Sequence, residues 1–160
     1  MKKILFLVLM LLPPCAFAIE KAHAVLVIKS ESRMVLKRNG KIIGEYHVAL
    51  GENPQGHKQS QGNERTPEGC YILDLKNEDS AYYRSIRISY PNEMDKKRAR
   101  QLGVHPGGLI MIHGQKNGFG HMAHITQRSN WTDGCIAVTN KAMAEIWQAV
   151  DVGTPIEIKP

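Results

Sequence analysis

The chain has 160 residues, of which 42% are hydrophobic and 6% aromatic, and its 21 Lys and Arg against 15 Asp and Glu give a formal net charge of +6. That length builds one domain with a real core and not two, and the scattered basic residues form no aromatic-studded stripe of the kind that binds nucleic acid. The basic surplus suits an anionic polymer of the cell envelope, or an ordinary basic soluble protein.

Residues 1–18 read as a secretory signal: Lys2 and Lys3, an apolar run over 4–12, then Cys15-Ala16-Phe17-Ala18 with small residues at the cleavage positions. The expectation is an exported domain over 19–160 in the periplasm or cell envelope. No later stretch is long enough for an integral membrane segment. Cleavage removes two lysines and takes the surplus from +6 to +4. The rival reading acylates Cys15 as a lipoprotein, although Pro13-Pro14 makes a poor lipobox.

Short strands are predicted over 24–28, 34–37 and 42–50, with Asn39-Gly40 as a hairpin turn between the last two. Residues 51–66, rich in Gly, Gln, Asn and Lys, read as an exposed loop that ends in the turn Pro67-Glu68-Gly69. Strands follow over 71–75 and 85–89, the latter halted by Pro91. A charged helix over 92–102 stops at Gly103. A strand over 109–112 delivers His113 at its end, and another over 136–138 leads away from Cys135. Thr139 or Asn140 caps a second helix whose Ala142, Met143, Ile146, Trp147 and Val150 recur at helical spacing and form a core stripe. A final strand runs over 155–158. Many short strands and two or three short helices predict a single, mainly β domain of sandwich or barrel type.

The chemistry concentrates in Trp131-Thr132-Asp133-Gly134-Cys135-Ile136 and in Met111-Ile112-His113-Gly114. A thiol is a poor nucleophile until it loses its proton, and imidazole is the usual group that takes it. Gly134 lets backbone approach a substrate closely, so that amide N–H groups there are candidate donors to an oxyanion. Cys135 is the candidate nucleophile. His113 is preferred as base over His105, His121 and His124 because it directly follows an apolar strand and precedes a glycine. His121 and His124, three apart, make only a weak metal signal, and neither a metal nor an organic cofactor is expected. Cys70, in an apolar strand-like run, reads as a buried, inert thiol, the alternative being a bridge to Cys135.

These residues resemble the catalytic domain of L,D-transpeptidases of the YkuD type. That signature is an apolar strand ending in His-Gly, a variable stretch, then Ser or Thr, His, Gly, Cys and an apolar residue. His113-Gly114 and Thr132, Gly134, Cys135, Ile136 match it, while Thr66-Pro67-Glu68-Gly69 and Ile88-Ser89-Tyr90-Pro91-Asn92 resemble further family segments. Asp133 departs from the pattern, standing where most members have a second histidine, and the stretch from Gly114 to Trp131 is longer than usual.

The resemblance implies a mixed β-sandwich and a thioester on Cys135, formed from a peptidoglycan stem of the meso-diaminopimelate type with release of D-alanine. An amine then resolves the thioester, giving a 3-3 cross-link or tethering a protein to the wall, within wall biogenesis and cell shape. His113 would act as base and acid, the Gly114 carbonyl would orient it, and Gly134 N–H would face the oxyanion. Asp133, Trp131, Tyr90 and Arg128 are candidates for shaping the substrate groove. Two other readings stay open: a hydrolase that passes the acyl group to water, and a non-catalytic envelope-binding protein.

Overall fold

The computed structural model describes residues 20–160; the segment predicted as a secretory signal, with its expected cleavage position and Cys15, lies outside the described residues. Eight strands, β1 (Ala24–Ile28), β2 (Arg33–Arg38), β3 (Lys41–His47), β4 (Gly69–Asn77), β5 (Ser85–Ile88), β6 (Met111–His113), β7 (Ile136–Ala137) and β8 (Pro155–Lys159), form one curled mixed sheet in the order β3-β2-β1-β8-β4-β5-β6-β7. The helices are α1 (Glu93–Leu102), α2 (Ala123–Thr126) and α3 (Asn140–Ala149), with 3-10 turns at Lys29–Glu31 and Gly120–Met122. The mainly β, single-domain expectation holds. The 3-10 turns and four-residue α2 carry too few residues to leave a helical period in the sequence.

β4 is shared between the two halves of the sheet. Its first residues pair with β8, its last with β5, and the register shifts between Leu73 and Leu75, where the bulge sharpens the twist and lets the sheet fold over its own core. The parallel pairs β1–β8 and β6–β7 flank the chain reversals through α3 and through 114–135. Asn39 and Gly40 make the predicted hairpin turn, both at positive φ (49° and 77°). Along β4, Tyr71 and Leu73 face the core, which puts Cys70 on the outer face. The expectation of a buried Cys70 is therefore corrected: the thiol is exposed, because period-two alternation sends it outward. Cys70 and Cys135 are both free.

The apolar run predicted as one strand over 42–50 does two jobs. β3 ends at His47, and 48–50 then cross to the far end of the sheet, where Ala49 and Ala137 exchange backbone hydrogen bonds at 2.9 and 2.8 Å. Val48 and Leu50 are fully buried there, so the hydrophobicity continues after the strand has stopped. The loop over 51–66 is only partly exposed, against the sequence reading. Lys29 Nζ reaches into it, donating to the carbonyls of Gly56 (2.7 Å) and Thr66 (3.0 Å) and to Glu68 Oε1 (2.8 Å).

α1 begins with a reciprocal cap. Asn92 Oδ1 accepts from Met94 N–H and Asp95 N–H, and Asp95 Oδ2 accepts from Asn92 N–H. Asp95 also accepts from Tyr71 Oη at 3.0 Å and sits 3.0 Å from His57 Nε2, tying helix, sheet and loop together. On α3, capped by Thr139, the predicted stripe packs on the core through Met143 and Ile146.

Ile136, fully buried beneath the candidate site, should cost about 2–5 kcal/mol when replaced by Ala, since a cavity opens in packed core. Leu102→Ala, at an exposed helix end, should stay within about 0.5 kcal/mol. Denaturant unfolding of the two variants measures both.

Candidate active site

β6 and β7 run parallel in the register Ile112↔Ile136 and His113↔Ala137. Both isoleucines point into the core, so Met111 and His113 on one strand, and Cys135 and Ala137 along the other, turn to the opposite face. His113 and Cys135 thereby open on one cleft of about 340 Å³, lined also by Ser80, Tyr82, Ser85, Leu109, Met111, Trp131, Thr132 and Asp133.

His113 is 6% exposed, and its Nδ1 lies 2.7 Å from the Gly114 carbonyl oxygen. A carbonyl only accepts, so Nδ1 carries the proton and Nε2 keeps its lone pair. Burial pushes the imidazole pKa below its usual value, partly offset by the bond to Gly114. Tyr82 packs against the ring at a centroid distance of 4.7 Å, and Trp131 meets it edge-on at 5.8 Å. The Cys135 thiol donates to the Leu109 carbonyl at 3.6 Å. Burial pushes its pKa up; the Met111 backbone amide opposes this, Asp133 adds to it and Lys58 opposes it. Burial therefore favours the neutral thiol and the neutral imidazole alike near pH 7.

Gly134 has φ +120°, and a Cβ there would stand 2.5 Å from the Arg65 carbonyl oxygen, so only glycine fits. Thr132 Oγ1 accepts from Gly134 N–H (3.2 Å) and donates to the Cys135 carbonyl (2.8 Å). This corrects the oxyanion expectation at Gly134: its N–H is engaged inside the loop. Asp133 is exposed at the mouth of the cleft.

Two other groove candidates are also corrected. Tyr90 is 5% exposed and belongs to the core, its hydroxyl donating to the Pro106 carbonyl (2.9 Å) and its ring packed edge-on against Tyr71. Arg128 is exposed beyond the end of α2 and does not line the cleft. His124 Nδ1 contacts the His121 carbonyl at 3.0 Å, and no cluster of three metal-ligating side chains exists among the described residues.

The sequence reading missed Tyr82 and Ser85, which line the cleft, and Lys58, which lines the adjoining cavity. Lys58 is only 3% exposed although it lies in a polar loop, with Nζ 3.3 Å from Asn63 Oδ1. Burial lowers its pKa, while Cys135 and Asp133 raise it, which places the ammonium within electrostatic reach of both. Tyr82 follows a polar bend with no periodicity to flag it. Ser85 Oγ and Trp131 Nε1 are buried in the cleft wall with no hydrogen-bond partner among the described residues, leaving two donors for a bound molecule.

The YkuD family model, described as the L,D-transpeptidase catalytic domain, matches residues 22–158. The chain belongs to this family. Among curated proteins it is 30% identical over 111 residues to YafK of Escherichia coli (strain K12), whose name assigns it provisionally as an L,D-transpeptidase; the match covers 68% of this chain and 37% of YafK. Among solved structures, Pgp2 of Campylobacter jejuni, titled a helical cell shape determining protein, is 28% identical with a TM-score of 0.65 over 88% of this chain and 49% of Pgp2. An Enterococcus faecium L,D-transpeptidase, at 16% identity and a TM-score of 0.56 over 87% of this chain and 50% of that one, shares the fold. The chain thus spans well under half of YafK and about half of each of these solved structures.

Within this L,D-transpeptidase domain, Asp133 and Lys58 act on the Cys135 thiol with opposite sign. Asp133→Asn should lower its apparent pKa by removing a like charge from the thiolate, and Lys58→Met should raise it by removing an opposite one. The pH dependence of iodoacetamide alkylation, followed in a Cys70→Ser background because Cys70 is exposed, measures both shifts.

Proposed function

We propose that the protein is an exported cysteine acyltransferase acting on peptidoglycan stem peptides. The observation that carries this reading is the opening of Cys135 and His113 on one cleft, with Nδ1 of His113 committed to Gly114 and Nε2 left to accept a proton. His113 Nε2 takes the thiol proton as Sγ attacks the carbonyl between the diaminoacid of a tetrapeptide stem and its terminal D-alanine. The Cys135 N–H donates to the oxyanion, since Gly134 N–H is already engaged. Collapse breaks the C–N bond, His113 returns the proton to the leaving amine, D-alanine departs and a thioester remains. An amine acceptor then attacks the thioester with His113 again as base, regenerating the thiol and leaving a 3-3 cross-link or a wall-tethered protein.

Family membership supports peptidoglycan as the substrate class, and the cell-shape role in the name of Pgp2 supports a place in wall remodelling. Asp133 favours a second reading, with water as acceptor: an exposed carboxylate at the cleft mouth is placed to hold an incoming water. The outcome is then trimming of the stem.

Incubation of the mature protein with purified muropeptides, followed by mass analysis, separates these products. Cys135→Ala should abolish turnover, His113→Gln should slow it by on the order of 10²–10⁴-fold, and Cys70→Ala should leave it intact. Turnover surviving in Cys135→Ala overturns the assignment, and no product from any muropeptide returns the protein to a binding role.

The pH profile gives a second check. Only the neutral imidazole accepts the thiol proton, so kcat/KM should fall as pH drops through the lowered His113 pKa. The acid limb should therefore lie below about 6.5, the ordinary histidine value.

A further inference from the structure

Beside the catalytic cleft lies a second cavity of about 650 Å³, and the two share Leu109 and Asp133 as a common wall. Lys58 lines this second cavity while being 3% exposed, so it forms the floor; Asp133 is exposed and forms the rim. Gly62, Gly107 and Gly108 leave the space between open. Lys58 has one side-chain partner, Asn63 Oδ1 at 3.3 Å, and an ammonium carries three donors. A buried cation with unfilled donors, facing a cavity, calls for an anion.

The floor is held before anything binds. His57, the preceding residue, accepts from Glu68 N–H at Nδ1 (3.0 Å) and meets Asp95 through Nε2 (3.0 Å). Gln61 N–H donates to the His105 carbonyl at 2.8 Å, fastening the loop on the other side of Lys58. The ammonium is presented by an anchored loop, which reduces the ordering cost of binding.

We propose that Lys58 and Asp133 form a subsite for a zwitterionic amino-acid head group, the Lys58 ammonium taking its carboxylate and the Asp133 carboxylate taking its ammonium. This rests on the peptidoglycan reading for the identity of the ligand: the distal centre of meso-diaminopimelate carries a free carboxylate and a free ammonium on one carbon. Four carbon–carbon bonds separate that centre from the one bearing the scissile carbonyl, a reach of roughly 5 Å at ordinary bond lengths. A carbonyl at Cys135 and a head group across the Leu109–Asp133 wall suit one residue spanning two adjoining pockets. A stem built on lysine has the ammonium and lacks the carboxylate, so it leaves Lys58 buried and unpaired. The subsite therefore selects the diaminoacid at the third position of the stem.

Calorimetry on the Cys135→Ala protein, which holds substrate without turnover, tests this with tetrapeptides L-Ala-γ-D-Glu-X-D-Ala. X is meso-diaminopimelate, its distal carboxamide, its distal N-acetyl derivative or L-lysine. The unmodified diaminopimelate peptide should bind on the order of tenfold or more tighter than each of the others, the scale of a charge-assisted hydrogen bond. Lys58→Met should erase the penalty for amidation and keep that for acetylation. Asp133→Asn, at an exposed position where folding is not at stake, should do the reverse. Equal affinity for all four peptides overturns the proposal, as does a Lys58→Met protein that weakens all four by one factor, which would make Lys58 a support of the loop and not a contact of the distal carboxylate. A preserved binding preference alongside no turnover of muropeptides by the unmutated protein supports the subsite while overturning the acyltransferase reading.

Discussion

The backbone stitch between Ala49 and Ala137 is the constraint on which the site depends. β3 lies at one end of the eight-stranded sheet and β7 at the other, and their only route to each other is the curl of the sheet. By crossing over and pairing with β7, the chain after β3 brings the segment at 49–51 against the loop that carries Cys135. Gly51 then packs so close that an added Cβ would stand 2.0 Å from the Glu64 carbonyl oxygen and 3.0 Å from Gly134 Cα. The two walls of the site, residues 51–66 and 131–135, are far apart in sequence and touch because of this crossing. Hydrogen bonds from Glu52 N–H to the Thr132 carbonyl and from Thr132 N–H to the Leu50 carbonyl continue the seam.

Electrostatics follow from that enclosure. Seaming the loops over Cys135 and His113 removes water from both, which disfavours thiolate and imidazolium alike and leaves the pair neutral. The same enclosure buries Lys58, whose charge offsets part of the cost of a thiolate while Asp133 adds to it. A cation on the floor and an anion on the rim tune one thiol in opposite directions. The tautomer of His113 is fixed by a main-chain oxygen and needs no side-chain partner, so the imidazole is oriented by the same strand end that delivers it.

The sequence disclosed what is written in local periodicity or in a short motif. Asn39-Gly40 marks its hairpin because both residues tolerate positive φ, and α1 and α3 announce themselves through Asn92, Gly103 and Thr139. His113 and Cys135 were legible as strand-end residues flanked by glycines. Their shared face was not, since it depends on the β6–β7 register, a nonlocal fact. Lys58 left no trace: a lysine among Gln, Gly and Asn reads as solvated, and its burial depends on nonlocal fastenings of its loop, by Lys29 at Gly56 and by the His105 carbonyl at Gln61. Tyr90 misled in the opposite direction, because an aromatic in a family-like segment carries no record of whether its ring turns to the cleft or to the core.

The Ala49–Ala137 seam also sets how the site comes apart. β7 has only two residues and lies at the end of the sheet, so the Ala137 amide, bonded to the Ala49 carbonyl, reports whether the crossing segment is seated. Releasing it frees the loop that holds Cys135 and the start of the loop that holds Lys58 in one event. Loss of hydrogen-exchange protection at Ala137 should therefore accompany loss of the Cys135 wall, while the Lys58 wall, fastened separately by Lys29, His57 and Gln61, stays built: sub-global opening here takes the cleft apart one wall at a time.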